Sequence, residues 1–192
     1  MGREFELKYA ADAAVLEAMR VEAEDWTEFS MATAYYDTPA GDLSKLRWTL
    51  RRRFENGVSV CTLKTPHPDG GRGEWEVECG EILAALPLLC RAGAPDELLD
   101  LTAGGITEVC AAQFTRFAAP VVLGNCTVEL ALDAGKLLGG GKALPFAEVE
   151  VELKSGDEAT AVGYAKALAE KYGLRPEPKS KYARALTLAG KR

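Results

Sequence analysis

Glutamates, arginines and lysines in this chain recur at every second position. Near the N-terminus Glu4, Glu6 and Lys8 alternate with Phe5, Leu7 and Tyr9, and near the far end Glu148, Glu150, Glu152 and Lys154 alternate with Val149, Val151 and Leu153. Between these segments, Arg51 and Arg53 share a parity, Lys64 closes the run 58–64, and Arg72, Glu74 and Glu76 alternate with Gly73, Trp75 and Val77. In an extended strand a period of two sends one set to each face. A solvated face usually mixes Ser, Thr, Asn, Gln and Lys, whereas these faces concentrate Glu and Arg. Carboxylate oxygens suit a hard divalent cation. Paired guanidiniums suit forked contacts to phosphate oxygens. A polyphosphate bound together with its metal would satisfy both groups.

The elements that must position these side chains are mostly short strands. After the first strand, Asp12 is the expected N-cap of a helix reaching about residue 22, with Ala14, Val15, Ala18 and Met19 on one side. Residues 26–37 are aromatic and β-branched and run into Pro39 and Gly41, a turn signal. Strand 46–54 is followed by Asn56-Gly57, the strongest hairpin signal in the chain, and by strand 58–64. Residues 80–103 are helical in tendency, and Pro87 and the 93–95 turn are expected to break them into two short helices. A strand over 109–117 carries Arg116, and the segment 126–133 puts Glu129 and Asp133 opposite Val128, Leu130 and Leu132. Turns are expected at Asp133-Ala134-Gly135 and at Gly139-Gly140-Gly141. Asp157 is the expected cap of a helix ending at Gly173, and residues 179–184 open a short terminal helix.

The 192 residues fit one domain over 1–192, and 47% hydrophobic residues can fill a core. The net charge of −6 argues against a surface that coats nucleic acid or anionic membrane. Five cysteines without CxxC spacing indicate neither a disulfide framework nor a zinc site, so reduced, mostly buried thiols are expected. No run of about 18 apolar residues is present, and a cytoplasmic protein is expected. With amphipathic helices covering the apolar faces from outside, the charged faces would line an interior. Many antiparallel strands can close into a barrel, which removes unpaired edges.

The ordered set Glu4-x-Glu6-x-Lys8, Leu50-Arg51-x-Arg53, Thr62-Leu63-Lys64, Arg72-x-Glu74, Glu129 with Asp133-x-Gly135, and the Glu-x-Glu pairs from Glu148 resembles the CYTH family of triphosphate tunnel metalloenzymes. The resemblance runs from the first residues to Lys181. It implies an α+β fold, a closed eight-stranded antiparallel β-barrel with helices packed outside, hydrolysing or cyclising triphosphates with Mg²⁺ or Mn²⁺. Tyr35-Tyr36-Asp37-Thr38-Pro39 and Ser180-Lys181-x-x-Arg184 resemble bacterial inorganic triphosphatases of that family. On this reading Glu4, Glu6, Glu148, Glu150 and Glu152 hold metal, and which two of the last three matter stays open. Glu4, Glu6, Glu150 and Glu152 serve the chemistry. Lys8, Arg51, Arg53, Lys64, Arg72, Glu74, Arg116 and Lys181 bind the substrate, with Lys154 and Lys181 standing further from the pattern. His67 falls outside every motif. The expected partner is a small-molecule triphosphate, with no nucleic acid and no membrane, and a homodimer is allowed. Thiamine triphosphatase, class IV adenylate cyclase and a non-catalytic polyphosphate- or nucleotide-binding module are the alternatives.

Overall fold

One continuous antiparallel sheet organises the protein in a computed structural model, which describes residues 5–66 and 72–190, with Arg72 described by its backbone only. In chain order the elements are β1 (Glu6–Ala10), α1 (Ala13–Met19), β2 (Thr27–Asp37), α2 (Asp42–Lys45), β3 (Thr49–Glu55), β4 (Val58–Pro66) and β5 (Arg72–Glu78). There follow α3 (Ile82–Arg91), α4 (Glu97–Thr102), β6 (Thr107–Leu123), β7 (Cys126–Gly139), β8 (Lys142–Ser155), α5 (Glu158–Tyr172), β9 (Arg175–Pro176) and α6 (Lys181–Leu188).

The local signals act as their chemistry dictates. Asp12 accepts from Val15 N at 2.8 Å, Asp157 from Thr160 N at 2.8 Å and Ser180 from Ala183 N at 3.1 Å, so each helix start satisfies one of its free amides. Asn56 and Gly57 both have positive φ, 46° and 94°, the geometry of the tight turn that joins β3 to β4. Gly173 ends α5 in the left-handed conformation.

Strand order across the sheet is β5-β4-β3-β2-β6-β7-β8-β1-β9. This corrects the closed eight-stranded barrel expected from the sequence: nine strands form an open sheet, with β5 at one edge and β9 at the other. Closure would need β1 to pair with β5. Its outer edge is taken instead by Arg175 and Pro176, and Glu177 N donates to Lys8 O at 2.9 Å. Pro176 has no N–H with which to extend the ladder. A two-residue strand ending in proline is also a common way to blunt a sheet edge.

Among the described side chains the alternating charges fall on one face of this sheet. Its opposite face is apolar and is covered by two sets of helices. Leu130, Leu132, Val149 and Val151 pack with α1 and α5, while Leu50, Cys61 and Leu63 pack with α3 and α4. Phe5, Trp48 and Trp75 join these clusters, as their parity requires. Three of the five cysteines are buried and all are free.

Several boundaries differ from the sequence reading. Pro87 lies inside α3 without breaking it, and the break falls at Gly93, whose φ is 103°. Strand β3 starts at Thr49, because Arg47 takes a positive φ of 58° after α2. Strands β6, β7 and β8 are longer than expected. Asp133-Ala134-Gly135 is not a turn: β7 runs straight through it, with Gly135 paired to Phe114. The glycine is needed there for clearance, since a Cβ would stand 2.1 Å from Gln113 O and 2.5 Å from Phe114 Cα. Gly135→Ala is expected to cost about 2 kcal/mol of stability and to lower the thermal midpoint by roughly 5 °C. An unchanged midpoint would mean that β6 and β7 part there without strain.

The last correction concerns α6, which does not join the other helices outside. It lies on the charged face, against β6, β7 and β8, where Ala185 and Leu186 bury themselves with Met31, Tyr35, Ala112, Phe114 and Leu137. Gly139 is bare where the helix crosses, and a Cβ there would meet Ala185 O at 2.5 Å.

Candidate active site

Two hairpins set the register that brings the acids together. Leu123 pairs with Cys126 around a Gly124-Asn125 turn, and the register this sets between β6 and β7 places Arg116 opposite Asp133. Gly139 pairs with Lys142, so Asp133 faces Glu148 and Glu129 faces Glu152. On the far side of β8, Glu6 faces Glu152 and Lys8 faces Glu150. The carboxylates therefore form two adjoining groups on three strands. One is the row Glu129, Glu152 and Glu6; the other is Asp133, Glu148 and Glu150.

The second group is buried. Asp133 and Glu148 have no exposed surface and Glu150 has 7%. One carboxylate oxygen from each lies within 4.8 Å of the others. Burying three carboxylates together is unfavourable unless cations accompany them. Three do. Arg116 forks onto Asp133 through Nε and Nη2, both at 2.8 Å, and also contacts Glu150. Lys181 Nζ lies 2.7 Å from Asp133 and 2.8 Å from Glu150, and touches Glu148. Arg184 contacts Glu148. Burial pushes the Glu150 carboxyl upward, but Lys181 and Arg116 outweigh it and hold the group well below the usual carboxylate range. For Glu148 burial wins and its pKa is raised.

In the other, partly buried row, Lys154 Nζ is 2.8 Å from Glu152 and 3.5 Å from Glu129. Glu6 stands across from Glu152 and is exposed.

A second group of charges sits on β3, β4 and β5. Thr62 lies between Arg51 on β3 and Glu76 on β5 and donates to Glu76 at 2.9 Å. Arg51 Nη2 is 3.7 Å from Glu74 and 3.6 Å from Glu76, and Lys64 is 3.0 Å from Glu74. Arg53 faces Glu55 at 3.0 Å but its Nε is not aligned to donate. The Nε atoms of both Arg51 and Arg53 are buried without a hydrogen-bond partner. Burial and the neighbouring Arg51 charge depress the Arg53 pKa, the mark of a cation with too little negative charge around it.

The two groups lie on the same face of the sheet, close enough to influence common neighbours. Tyr35 on β2 feels both Arg51 on the adjacent strand and Glu150 three strands away, and Arg53 feels Arg116. The ring of Tyr35 also packs on Tyr182 of α6, 5.0 Å between centroids. Tyr182 in turn is held by Ser44, at 2.8 Å between hydroxyls, and Ser44 by the buried Asp37 carboxylate.

The structure thus brings Glu6, Lys8, Arg51, Arg53, Lys64, Glu74, Arg116, Glu148, Glu150 and Glu152 onto one face of the sheet, with Lys181 reaching it from α6. Glu4 and His67 lie outside the described residues, and for Arg72 only the backbone position on β5 is described. Lys181, expected to be peripheral, is central. Asp133 and Arg184 were missed as site residues. For Asp133 the signal was present: its parity matches Glu129, and the Gly124-Asn125 turn fixes its pairing with Arg116. Nothing local to Arg184 announces Glu148 as its partner.

A family model described as the CYTH domain matches residues 2–186. An inorganic triphosphatase of Haemophilus influenzae is 28% identical over 129 residues, covering 66% of this chain and 37% of that protein. The chain thus aligns with little more than a third of that relative's length. Among solved structures, an adenylyl cyclase candidate of Hippeastrum described as having a dominant triphosphatase activity superposes with a TM-score of 0.71 at 20% identity, covering 100% of this chain and 97% of that one. The PH1819 protein of Pyrococcus horikoshii superposes with a TM-score of 0.63 at 25% identity, covering 96% and 99%. No helix among the described residues is long and apolar enough to cross a membrane.

Proposed function

The chain belongs to the CYTH domain family, and we propose on that premise that it is a metal-dependent hydrolase that cleaves inorganic triphosphate to diphosphate and phosphate. The observation that carries this reading is that a carboxylate cluster and an arginine pair with unspent donors share one face of the sheet. The alignment with the Haemophilus influenzae inorganic triphosphatase supports the choice of substrate.

The donor set fits a hard divalent cation such as Mg²⁺ or Mn²⁺, since every ligand it offers is a carboxylate oxygen and three of them converge. Asp133, Glu148 and Glu150, with Glu152 and Glu6 in the adjoining row, are the residues that would hold it. Bound there, the ion would neutralise charge on the phosphate oxygens. Phosphoryl transfer asks little covalent chemistry of a protein and much positioning. Arg51 and Arg53 would grip phosphate oxygens from one wall, with Lys8, Lys64 and Arg116 supplying further positive charge. Glu150, kept ionised by the cations around it, is a poor proton acceptor and a good hydrogen-bond acceptor. Its role would be to orient the attacking water rather than to deprotonate it.

The test is to incubate the purified chain with tripolyphosphate, ATP and thiamine triphosphate in parallel, with Mg²⁺ or Mn²⁺, and to measure phosphate, diphosphate and cyclic AMP. Tripolyphosphate is expected to turn over fastest, and a chelator to abolish turnover. Cyclic AMP as the main product of ATP would replace this reading by a cyclase. No product from any substrate would replace it by a binding module.

A further inference from the structure

The buried acid cluster already holds a cation. Lys181 Nζ contacts all three carboxylates, and the rings of Phe114 and Phe146 wall it in, their centroids 4.9 and 5.6 Å away. The ammonium thus occupies the point on which the three carboxylates converge, and a divalent ion drawn to the same oxygens has to displace it. Arg116 hangs from the middle of β6 and is forked onto Asp133, whereas Lys181 and Arg184 hang from α6, an eight-residue helix laid over the sheet.

We propose that the pocket formed by Asp133, Glu148 and Glu150 is one cation site with two alternative occupants, the Lys181 ammonium and a divalent metal ion, so that metal entry and withdrawal of α6 are a single event. This rests on the metal-dependent reading above and adds what the metal must displace. Lys181 is nine-tenths buried at the first turn of α6, and its way out is closed by two aromatic rings and three acids. The ammonium therefore leaves with its backbone. When the helix lifts, Arg184 goes with it and Glu148 is freed on both oxygens. Three contacts hold the helix down besides the charges: the Tyr182 to Ser44 hydrogen bond anchored on Asp37, the packing of Tyr182 on Tyr35, and the flat approach of Ala185 over Gly139.

Two variants separate this from a Lys181 that is only a structural partner. Lys181→Met removes the competing charge and keeps the stem. Gly139→Ala adds one methyl group beneath Ala185 O and loosens the helix without touching any charge. Binding of Mn²⁺ alone to the full chain, without substrate, is read by the electron paramagnetic resonance of free Mn²⁺. Amide hydrogen exchange over 181–188 is followed with and without the ion. Lys181→Met is expected to bind Mn²⁺ at least about tenfold more tightly, and Gly139→Ala about fivefold more tightly, because in each a smaller fraction of molecules is held in the closed state. Mn²⁺ is expected to speed exchange over 181–188 in the parent chain. Parent affinity in a folded Lys181→Met, parent affinity in Gly139→Ala, or exchange over 181–188 unmoved by Mn²⁺ would each overturn the proposal while leaving metal-dependent turnover intact. No Mn²⁺ bound by the parent or by Lys181→Met would overturn both readings together.

Discussion

Arg53→Lys is expected to lower kcat/KM for tripolyphosphate roughly 10–100-fold, the factor that goes with one or two charge-assisted hydrogen bonds, with little change in thermal stability. Lysine preserves the charge but not the planar fork, and a fork is what two oxygens of one phosphoryl group require. The structure makes the substitution informative because Arg53 is short of partners. Its Nε is buried without an aligned acceptor, its ion pair among the described residues is with Glu55, and Arg51 stands beside it. Such a cation contributes little to the resting fold and gains most when an anion arrives. Undiminished activity in Arg53→Lys would remove the arginine pair from the substrate site. Arg51 is the less clean target, because Glu74 and Glu76 share it.

Glu150→Gln is expected to abolish metal-dependent turnover to within the detection limit and also to destabilise the fold by about 3 kcal/mol, roughly 10 °C in thermal midpoint. Removing one carboxylate leaves Lys181 and Arg116 sharing Asp133 and Glu148, with one buried positive charge uncompensated. The pH dependence identifies the cause. The carboxyl of Glu150 is held below its ordinary value of 4.5, so its contribution to stability is present above that value and is lost as pH falls through the depressed one. The stability gap between parent and variant should therefore be full at pH 6 and close progressively in acid. Glu148, raised by burial, contributes with the opposite sign: its share is present below 4.5 and fades as pH rises through the raised value. Glu150 is itself one of the charges that raise Glu148, so in Glu150→Gln that share shrinks and the gap reads the two carboxylates together. A gap that stays constant from pH 6 to pH 2 would mean that glutamine is lost to packing and not to charge.

Much of the site was legible before any coordinates because parity in a strand is a local property. Glu6 and Lys8, Arg51 and Arg53, Glu74 and Glu76, and Glu148, Glu150 and Glu152 each had to share a face once their segments were extended, and each pair does. Caps at Asp12, Asp157 and Ser180, the Asn56-Gly57 turn and the Gly173 stop were equally local. The errors came where a neighbour overruled the local preference. Gly135 looks like a turn residue, yet it is a glycine because Gln113 and Phe114 of β6 crowd it. Pro87 is the sixth of the ten residues of α3 and removes one bond of the helix, yet α3 keeps its course because Ile82, Ala85, Leu86 and Leu89 are packed on the sheet on either side of it.

What the chain determined by itself is the inventory: which side chains stand together along each strand, which face is charged, and where the backbone reverses. What only the tertiary structure decided is who meets whom across strands and helices. Closure of the sheet depends on strand tilt and stagger summed over all nine strands, and on the short stretch at Arg175 and Pro176 taking the free edge of β1. The placement of α6 likewise depends on which apolar surface is left uncovered once α1, α3, α4 and α5 have taken the other face. Met31, Phe114 and Leu137 remain on the charged side, and α6 settles there. That choice carries Lys181 and Arg184 into the acids. The family resemblance of Ser180-Lys181-x-x-Arg184 pointed to the site, but no physical pattern within residues 179–184 could, because the surface that selects the helix is assembled from strands that lie far away in sequence.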